Sequence, residues 1–93
     1  MMDLRLDDFA EAVGESYELL LGDEAVSLVL ERTQELPRSI RDAGSFRLEW
    51  RGPASPVIEQ SVYTFRRGDR TFEMFIVPVG KSEAGILYEA IFT

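Results

Sequence analysis

Glycine and proline interrupt this chain at short, fairly even intervals. The main breaks fall at Gly14, Gly22, Pro37, Gly44, Gly52, Pro56, Gly68, Gly80 and Gly85. Most of these intervals are 7 to 15 residues long, which suits strands joined by tight turns and leaves little room for a series of packed helices. The punctuation therefore favours a mainly β fold.

Alternation of apolar and polar residues supports strands between these breaks. We predict strands over residues 16–21, 25–33, 45–51, 57–66, 71–79 and 85–92. The third has the clearest alternation, with Phe46, Leu48 and Trp50 on the side expected to face inward. The fifth is apolar on both faces, so we expect it to be a central, doubly buried strand whose pairing ends at Pro78.

One short segment has helical spacing instead. Apolar residues recur at intervals of three and four from Leu6 to Val13, which predicts a helix over residues 7–13. Asp7 can cap its first turn, and Gly14 can end it. Two turns alone are unstable in water, so we expect this helix to cover one end of a larger body.

These elements predict a mainly β fold with one short N-terminal helix. Six consecutive strands joined mostly by tight turns favour an antiparallel meander that forms a small barrel or a curled sheet. The length of 93 residues suits a single domain, 1–93. The predicted core includes Phe46, Leu48, Trp50, Phe75, Val77 and Tyr88.

The residue types that are missing restrict the chemistry. The chain has no histidine and no cysteine, which excludes thiolate nucleophiles, histidine general bases and the usual zinc sites. We therefore expect no catalysis, no cofactor and no metal. No run of 18 apolar residues predicts a membrane span, and early acids such as Asp7 argue against a signal peptide, so we expect a cytoplasmic location.

Charge is distributed unevenly along the chain. The net charge is -7, with residues 1–31 contributing -8 and residues 32–70 contributing +3. An acidic chain is a poor binder of nucleic acid. Folding can mix these charges back together, or it can leave a polarised molecule. In the second case, Arg38 and Arg41 of a loop over residues 35–44 could meet Asp7, Asp8 and Glu11 of another copy, head to tail.

A second candidate site surrounds a glutamine in the fourth predicted strand. Gln60 lies within a predicted strand flanked by apolar residues, so we expect it to be largely buried, with its amide bonded to the turn that precedes it or near Tyr63. It can be a structural glutamine. Alternatively, Trp50, Arg51, Gln60 and Tyr63 can form one patch that binds a small ligand or a partner.

Four segments in fixed order carry a resemblance to a known family. They are Phe9 with Val13-Gly14-Glu15 and Tyr17; Phe46-Arg47-Leu48-Glu49-Trp50-Arg51-Gly52-Pro53; Gln60-Ser61-Val62-Tyr63; and Phe75-Ile76-Val77-Pro78-Val79-Gly80 followed by Tyr88-Glu89-Ala90-Ile91-Phe92. Together they resemble a family of small bacterial domains with no assigned function. The resemblance spans nearly the whole chain and supplies no catalytic residues. Some members of that family are encoded near phage-tail-collar-like proteins, so the resemblance implies an accessory role in an extended particle.

Three functional hypotheses remain after this reasoning. The first is a non-enzymatic structural or protein-interaction domain, self-assembling or bound to a partner protein, as in a phage-tail-like assembly. The second is an acidic binding or inhibitor protein for a charged partner. The third is a small-ligand-binding barrel with a closed pocket around Trp50 and Gln60.

Overall fold

A computed structural model describes residues 5–36 and 45–92 of the chain. It contains a short 3-10 turn followed by six strands. The 3-10 turn is Leu6–Asp8, and the strands are β1 Ser16–Leu21, β2 Glu24–Glu35, β3 Phe46–Gly52, β4 Ser61–Arg67, β5 Arg70–Ser82 and β6 Gly85–Phe92. The predicted β class is thereby confirmed.

The six strands close into one antiparallel barrel in the order β1-β2-β3-β6-β5-β4. This closure confirms the barrel but corrects the meander. Strand β3 pairs with β6, and β4 pairs with β1, so residues 53–60 carry the chain across one end of the barrel. Turn signals are local, whereas the order of pairing depends on which strands must close the sheet and remove its free edges.

The predicted N-terminal helix is wrong in extent and type. Over the described residues of this segment, 5–14, the helical part is Leu6–Asp8, a 3-10 turn, and the residue at its N-cap is Arg5 rather than Asp7. The predicted placement at one barrel end still holds, because Phe9 and Ala12 are buried. Backbone hydrogen bonds from the Gly14 amide to Leu30 O and from the Leu30 amide to Glu15 O hold the segment on β2. Docking of two apolar side chains thus replaces a full helix.

The barrel interior is filled by alternating side chains from every strand. The fully buried large residues are Trp50, Tyr88, Phe9, Phe46, Phe65, Leu19, Leu28, Leu30, Leu48 and Ile76. Strand β3 follows its predicted register, with buried and half-buried positions alternating along its whole length. Ser45, just before it, is also buried.

Strand β5 differs from its prediction. Phe75 is 49% exposed and Val77 is only half-buried, so neither belongs to the fully buried core. Both lie on the outer face of the barrel wall, because Met74 and Ile76 take the inner positions. Pairing also continues past Pro78, with an irregularity between Pro78 and Gly80, as far as Ser82. In a barrel of this size only one face of each strand can be interior.

Different elements cover the two ends of the barrel, which we call the bottom end and the top end. The bottom end carries the N-terminal segment, the start of β1 and the β4–β5 hairpin. The top end carries the β1–β2 hairpin, residues 53–60 and the β5–β6 hairpin. At the top, Ile58 is buried and its amide donates a hydrogen bond of 2.8 Å to the Tyr88 hydroxyl. Within the described residues, no helix is long and apolar enough to cross a membrane.

Candidate functional site

A cleft of about 370 Å³ opens at the bottom end of the barrel. Its lining residues are Asp8, Phe9, Tyr17, Arg67, Gly68, Asp69, Arg70 and Phe72. They come from three separate parts of the chain: the N-terminal segment, β1 and the β4–β5 hairpin. We call this feature the barrel-end cleft.

Three aromatic rings form the floor of the barrel-end cleft. Phe9 and Phe72 meet edge to face with ring centroids 5.6 Å apart, and Tyr17 lies 5.9 Å from Phe72. Phe9 and Tyr17 are almost fully buried, whereas Phe72 is half-buried. Tyr17 and Phe72 point inward from their strands, and Phe9 comes from the N-terminal segment. The floor is therefore rigid, apolar and continuous with the core.

The sole tryptophan of the chain lies directly behind this floor. The Trp50 ring is 4.8 Å from that of Tyr17 and 6.4 Å from that of Phe9, both edge to face. Trp50 is fully buried, and its Nε1–H has no hydrogen-bond partner among the described residues. Its fluorescence is thus well placed to report changes at the floor.

Charged groups form the rim. The Arg67 guanidinium lies 5.4 Å from the centroid of the Tyr17 ring and forms an ion pair with Glu15. Desolvation lowers the pKa of Arg67, but its contacts with Tyr17 and Glu15 raise it by more, so the net pKa is raised. The cation–π position on Tyr17 is therefore filled by the chain itself.

The remaining rim groups differ in how far they are engaged. Asp8 accepts a hydrogen bond of 2.8 Å from the Arg5 amide, which fixes it within the N-terminal turn. Asp69 and Arg70 are exposed at the hairpin, and in the described part of the chain the Arg70 guanidinium has no ion-pair partner. The predicted turn at residues 67–70 is confirmed, with Gly68 at φ 62° in the conformation that a tight hairpin needs.

The predicted patch around Gln60 does not form one surface. Gln60 is exposed, and its side chain bonds to none of the described residues, so the prediction that it is buried is wrong. Trp50 lies in the core, whereas Arg51 lies on the outer face and pairs with Glu31. Tyr63 is half-buried and donates a hydrogen bond of 2.7 Å to Glu59 O. Gln60 precedes β4 rather than lying within it, which explains the error.

Desolvation, followed by the charge of Glu59, raises the pKa of the Tyr63 phenol. The hydroxyl is thus kept in its neutral form, as a hydrogen-bond donor to the backbone. This role is local and structural. It does not connect Tyr63 with Trp50 or Arg51.

The predicted assembly contacts are only partly visible. Arg38 and Arg41 lie outside the described residues, whereas Asp7, Asp8 and Glu11 lie on the N-terminal segment at the bottom end. Elsewhere, charges from the acidic and basic segments pair within one chain. These pairs are Arg51–Glu31, Arg66–Glu18 and Arg67–Glu15. For these residues, folding mixes the charges rather than separating them.

A further surface lies on the outer wall of β4, β5 and β6. Val62 on β4 pairs across strands with Phe75 on β5. Val77 on β5 pairs with Glu89 on β6, and the strands are antiparallel. Ile91, two residues after Glu89, therefore lies beside Phe75, two residues before Val77, and continues the row. Val62, Phe75 and Ile91 are 54%, 49% and 52% exposed. We call these three residues the apolar band.

Sequence reasoning missed both the barrel-end cleft and the apolar band. The cleft depends on where Phe9 docks, and no local pattern gives that position. The band was visible as apolar residues on both faces of β5, but those residues were assigned to the core. No group of three or more carboxylates suited to a metal ion occurs over residues 5–36 and 45–92.

Comparison with known proteins gives one family match. The family model described as "Domain of unknown function (DUF6916)" matches residues 4–92. No curated protein and no solved structure matches the chain. The match confirms the predicted resemblance to a family without an assigned function. A bacterial origin and an association with phage tails stay predictions.

Proposed function

Because the chain belongs to the family of domains of unknown function DUF6916, we propose its role from the geometry: it is a non-enzymatic protein-interaction domain that associates with a second copy of itself. The apolar band is the single observation that carries this proposal. Three neighbouring large apolar side chains, each about half exposed, form a row across three strands. Contiguous apolar surface of this kind is typical of interaction sites.

The closed barrel restricts how a partner can attach. Each of the six strands in the described part of the chain has two neighbours, so the sheet that they form offers no free edge for an added strand. A partner must therefore bind through side chains rather than by adding a strand, and the wall is the largest surface for such packing. The apolar band supplies the apolar centre that such an interface needs, with polar residues around it.

The charges beside the apolar band favour a second copy as the occupant. Arg47 pairs with Glu89 at 2.5 Å and with Glu49 at 2.8 Å. Arg32 lies 3.7 Å from Glu49, so two arginines balance two glutamates on the wall next to Ile91. Hydrogen bonding to Glu89 outweighs desolvation and raises the pKa of Arg47, so its guanidinium keeps its charge. Two such walls can meet with little repulsion, apart from Glu73 beside Phe75. A two-fold contact of this type is also the commonest form of self-association.

Sedimentation of Phe75→Glu against the parent chain tests the proposal. We expect the parent to form dimers and Phe75→Glu to be a monomer, because a charge at the centre of an apolar interface is costly. Val13→Glu is the matched control. Val13 is 47% exposed but lies on the N-terminal segment, away from the wall. It should leave the dimer intact, and thermal melts should show that both variants fold.

Salt separates this association from the head-to-tail contact predicted from sequence. An apolar interface should persist between about 0.05 and 1 M salt, whereas contacts between exposed charges are screened. A parent chain that stays monomeric at high concentration in both conditions contradicts self-association. Association that is lost at high salt and unaffected by Phe75→Glu points instead to the charged ends.

The proposal extends to an accessory subunit of a phage-tail-like assembly. The resemblance described above supports this extension, and a dimer formed through the wall leaves both barrel ends free to dock on a larger particle. Cosedimentation of the purified chain with purified tail-like particles tests it. Binding by the parent and by Val13→Glu, but not by Phe75→Glu, is the expected result.

An acidic binding protein is the second candidate. At the top end, Asp23, Glu24, Glu59 and Glu83 are exposed and have no ion-pair partner among the described residues. A monomer that binds a basic protein, with a steep loss of binding as salt rises, would favour this function. Replacing Asp23 and Glu24 by Asn and Gln should then weaken binding, whereas Phe75→Glu should not.

A further inference from the structure

The barrel-end cleft has features of a ligand site that the proposed self-association does not use. It lies at the bottom end, whereas the apolar band lies on the outer wall of β4, β5 and β6. Its volume of about 370 Å³ lies within the range of small-molecule sites. The lining combines an apolar floor with a few charged groups at the rim, which is the usual composition of such sites.

The floor and the rim together select the chemistry of a ligand. A cationic ligand would seek an aromatic face, but the Arg67 guanidinium already covers the face of Tyr17. An anion instead meets two arginines. Arg67 has five N–H donors, and its ion pair with Glu15 uses one nitrogen. Arg70 has no ion-pair partner among the residues described.

The acidic rim groups leave room for an anion. Asp8 accepts the Arg5 amide and is thereby held within its own turn. Asp69 lies between the two arginines in sequence, at the exposed hairpin, and in the described structure it forms no ion pair with either of them, so it does not occupy their N–H donors. Arginine binds carboxylates by paired, forked hydrogen bonds, which is the geometry that two rim guanidinium groups can offer.

We propose that the barrel-end cleft binds a carboxylate attached to an aromatic ring or a large apolar side chain. The ring packs on Phe72, the half-buried ring of the floor, and the carboxylate accepts hydrogen bonds from Arg70 and Arg67. Both a small aromatic acid and the free C-terminal residue of a peptide have this chemistry.

The test is a titration followed by Trp50 fluorescence and by NMR shifts. The probes are 3-phenylpropionate, its neutral amide, and acetate, which has the anion without the ring. A hexapeptide ending in phenylalanine, with a free or an amidated C-terminus, distinguishes the two sources. Because Trp50 contacts Tyr17 and Phe9, occupation of the floor should change its emission.

Binding of 3-phenylpropionate or of the free-acid peptide, with binding of the matching amide at least about tenfold weaker, supports the proposal. Binding of the small acid alone indicates a metabolite-like ligand, whereas binding of the peptide alone indicates the C-terminus of a partner protein. Equal binding of acid and amide overturns the carboxylate assignment. No binding of either acid at millimolar concentration overturns the site.

Variants locate the binding. Arg70→Ala should weaken it about tenfold or more, and Arg70→Lys should weaken it less, because the charge is kept while the fork is lost. Lys81→Ala is the matched control, since Lys81 is also exposed and unpaired in the described structure but lies near the top end. Equal effects of Arg70→Ala and Lys81→Ala overturn the proposal. Phe75→Glu should bind normally, so failure of self-association and failure of this site are distinguishable.

Discussion

The two ends of the barrel are closed by different physical means. At the top, residues 53–60 fold over the opening, Ile58 is buried, and its amide bonds to the Tyr88 hydroxyl inside the barrel. At the bottom, Phe9 enters from the N-terminal segment and contacts a cluster of aromatic rings. The barrel-end cleft lies beside that ring at the bottom.

The difference shows how a small barrel can combine stability with an accessible site. A hydrogen bond inside an apolar end fixes one backbone position, and the buried amide becomes costly if it loses its partner. Aromatic rings stabilise by area and need no such partner, so part of their surface can stay open. The bottom end is therefore the end at which a ligand can reach the core.

The largest expected effect on stability comes from removing the Phe9 ring, which fills the bottom end of the barrel. Phe9→Ala should lower the free energy of unfolding by about 3–5 kcal/mol, because it removes a fully buried ring and leaves a cavity among its neighbours. Chemical denaturation followed by circular dichroism measures the change. Val13→Ala, at an exposed position of the same segment, should cost far less. Similar losses for both variants would mean that the segment, rather than the ring, closes this end.

At the top, a close backbone approach predicts the next effect. A Cβ atom on Gly85 would overlap the carbonyl oxygen of Gly52, and Gly85 has φ 132°, which non-glycine residues rarely adopt. Gly85→Ala should therefore lower the free energy of unfolding by about 2–5 kcal/mol. Gly80→Ala is the control, since its Cβ would lie 3.8 Å from the nearest side-chain atom. A neutral Gly85→Ala would show that β3 and β6 can separate there without cost.

The buried hydroxyl at the top gives a smaller, cleaner effect. Tyr88→Phe should cost about 1–3 kcal/mol, because it keeps the ring but leaves the buried Ile58 amide unpaired. Tyr63→Phe removes a hydroxyl whose bond to Glu59 O is exposed, so its cost should be well below that. Denaturation midpoints of the two variants compare them directly. Equal costs would mean that water reaches the Ile58 amide in the variant.

Much of the fold could be predicted because its signals are local. Alternation placed Leu48 and Trp50 inside, and the β6 bounds agree with the structure. The predicted helix was wrong because residue spacing alone cannot show that two buried side chains, Phe9 and Ala12, suffice to hold the segment on the barrel. The predicted meander was wrong because turn residues do not determine which strands pair, and β3 pairs with β6.

The functional surfaces could not be predicted for a related reason. Phe75 and Val77 were assigned to the core because apolar residues usually lie inside, yet a barrel wall has only one inner face. Gln60 was expected to be buried because the predicted fourth strand is flanked by apolar residues, but Gln60 precedes β4 and is exposed. The barrel-end cleft joins residues as distant in sequence as Phe9 and Phe72, which no local pattern connects.

The smallest expected effect concerns the cleft rim. Arg67→Ala removes an ion pair with Glu15 and a contact with the Tyr17 ring, both at an exposed position. Its cost in stability should be smaller than that of Tyr88→Phe. Arg66→Ala is the matched control, because Arg66 pairs with Glu18 at 3.1 Å at similar exposure. Salt should abolish the cost of Arg66→Ala, since screening removes exposed ion pairs. Arg67→Ala should keep a residual cost at 1 M salt, because its guanidinium also covers the Tyr17 ring. If both costs vanish together, the ring contact contributes nothing, and the face of Tyr17 is open to a cationic ligand after all.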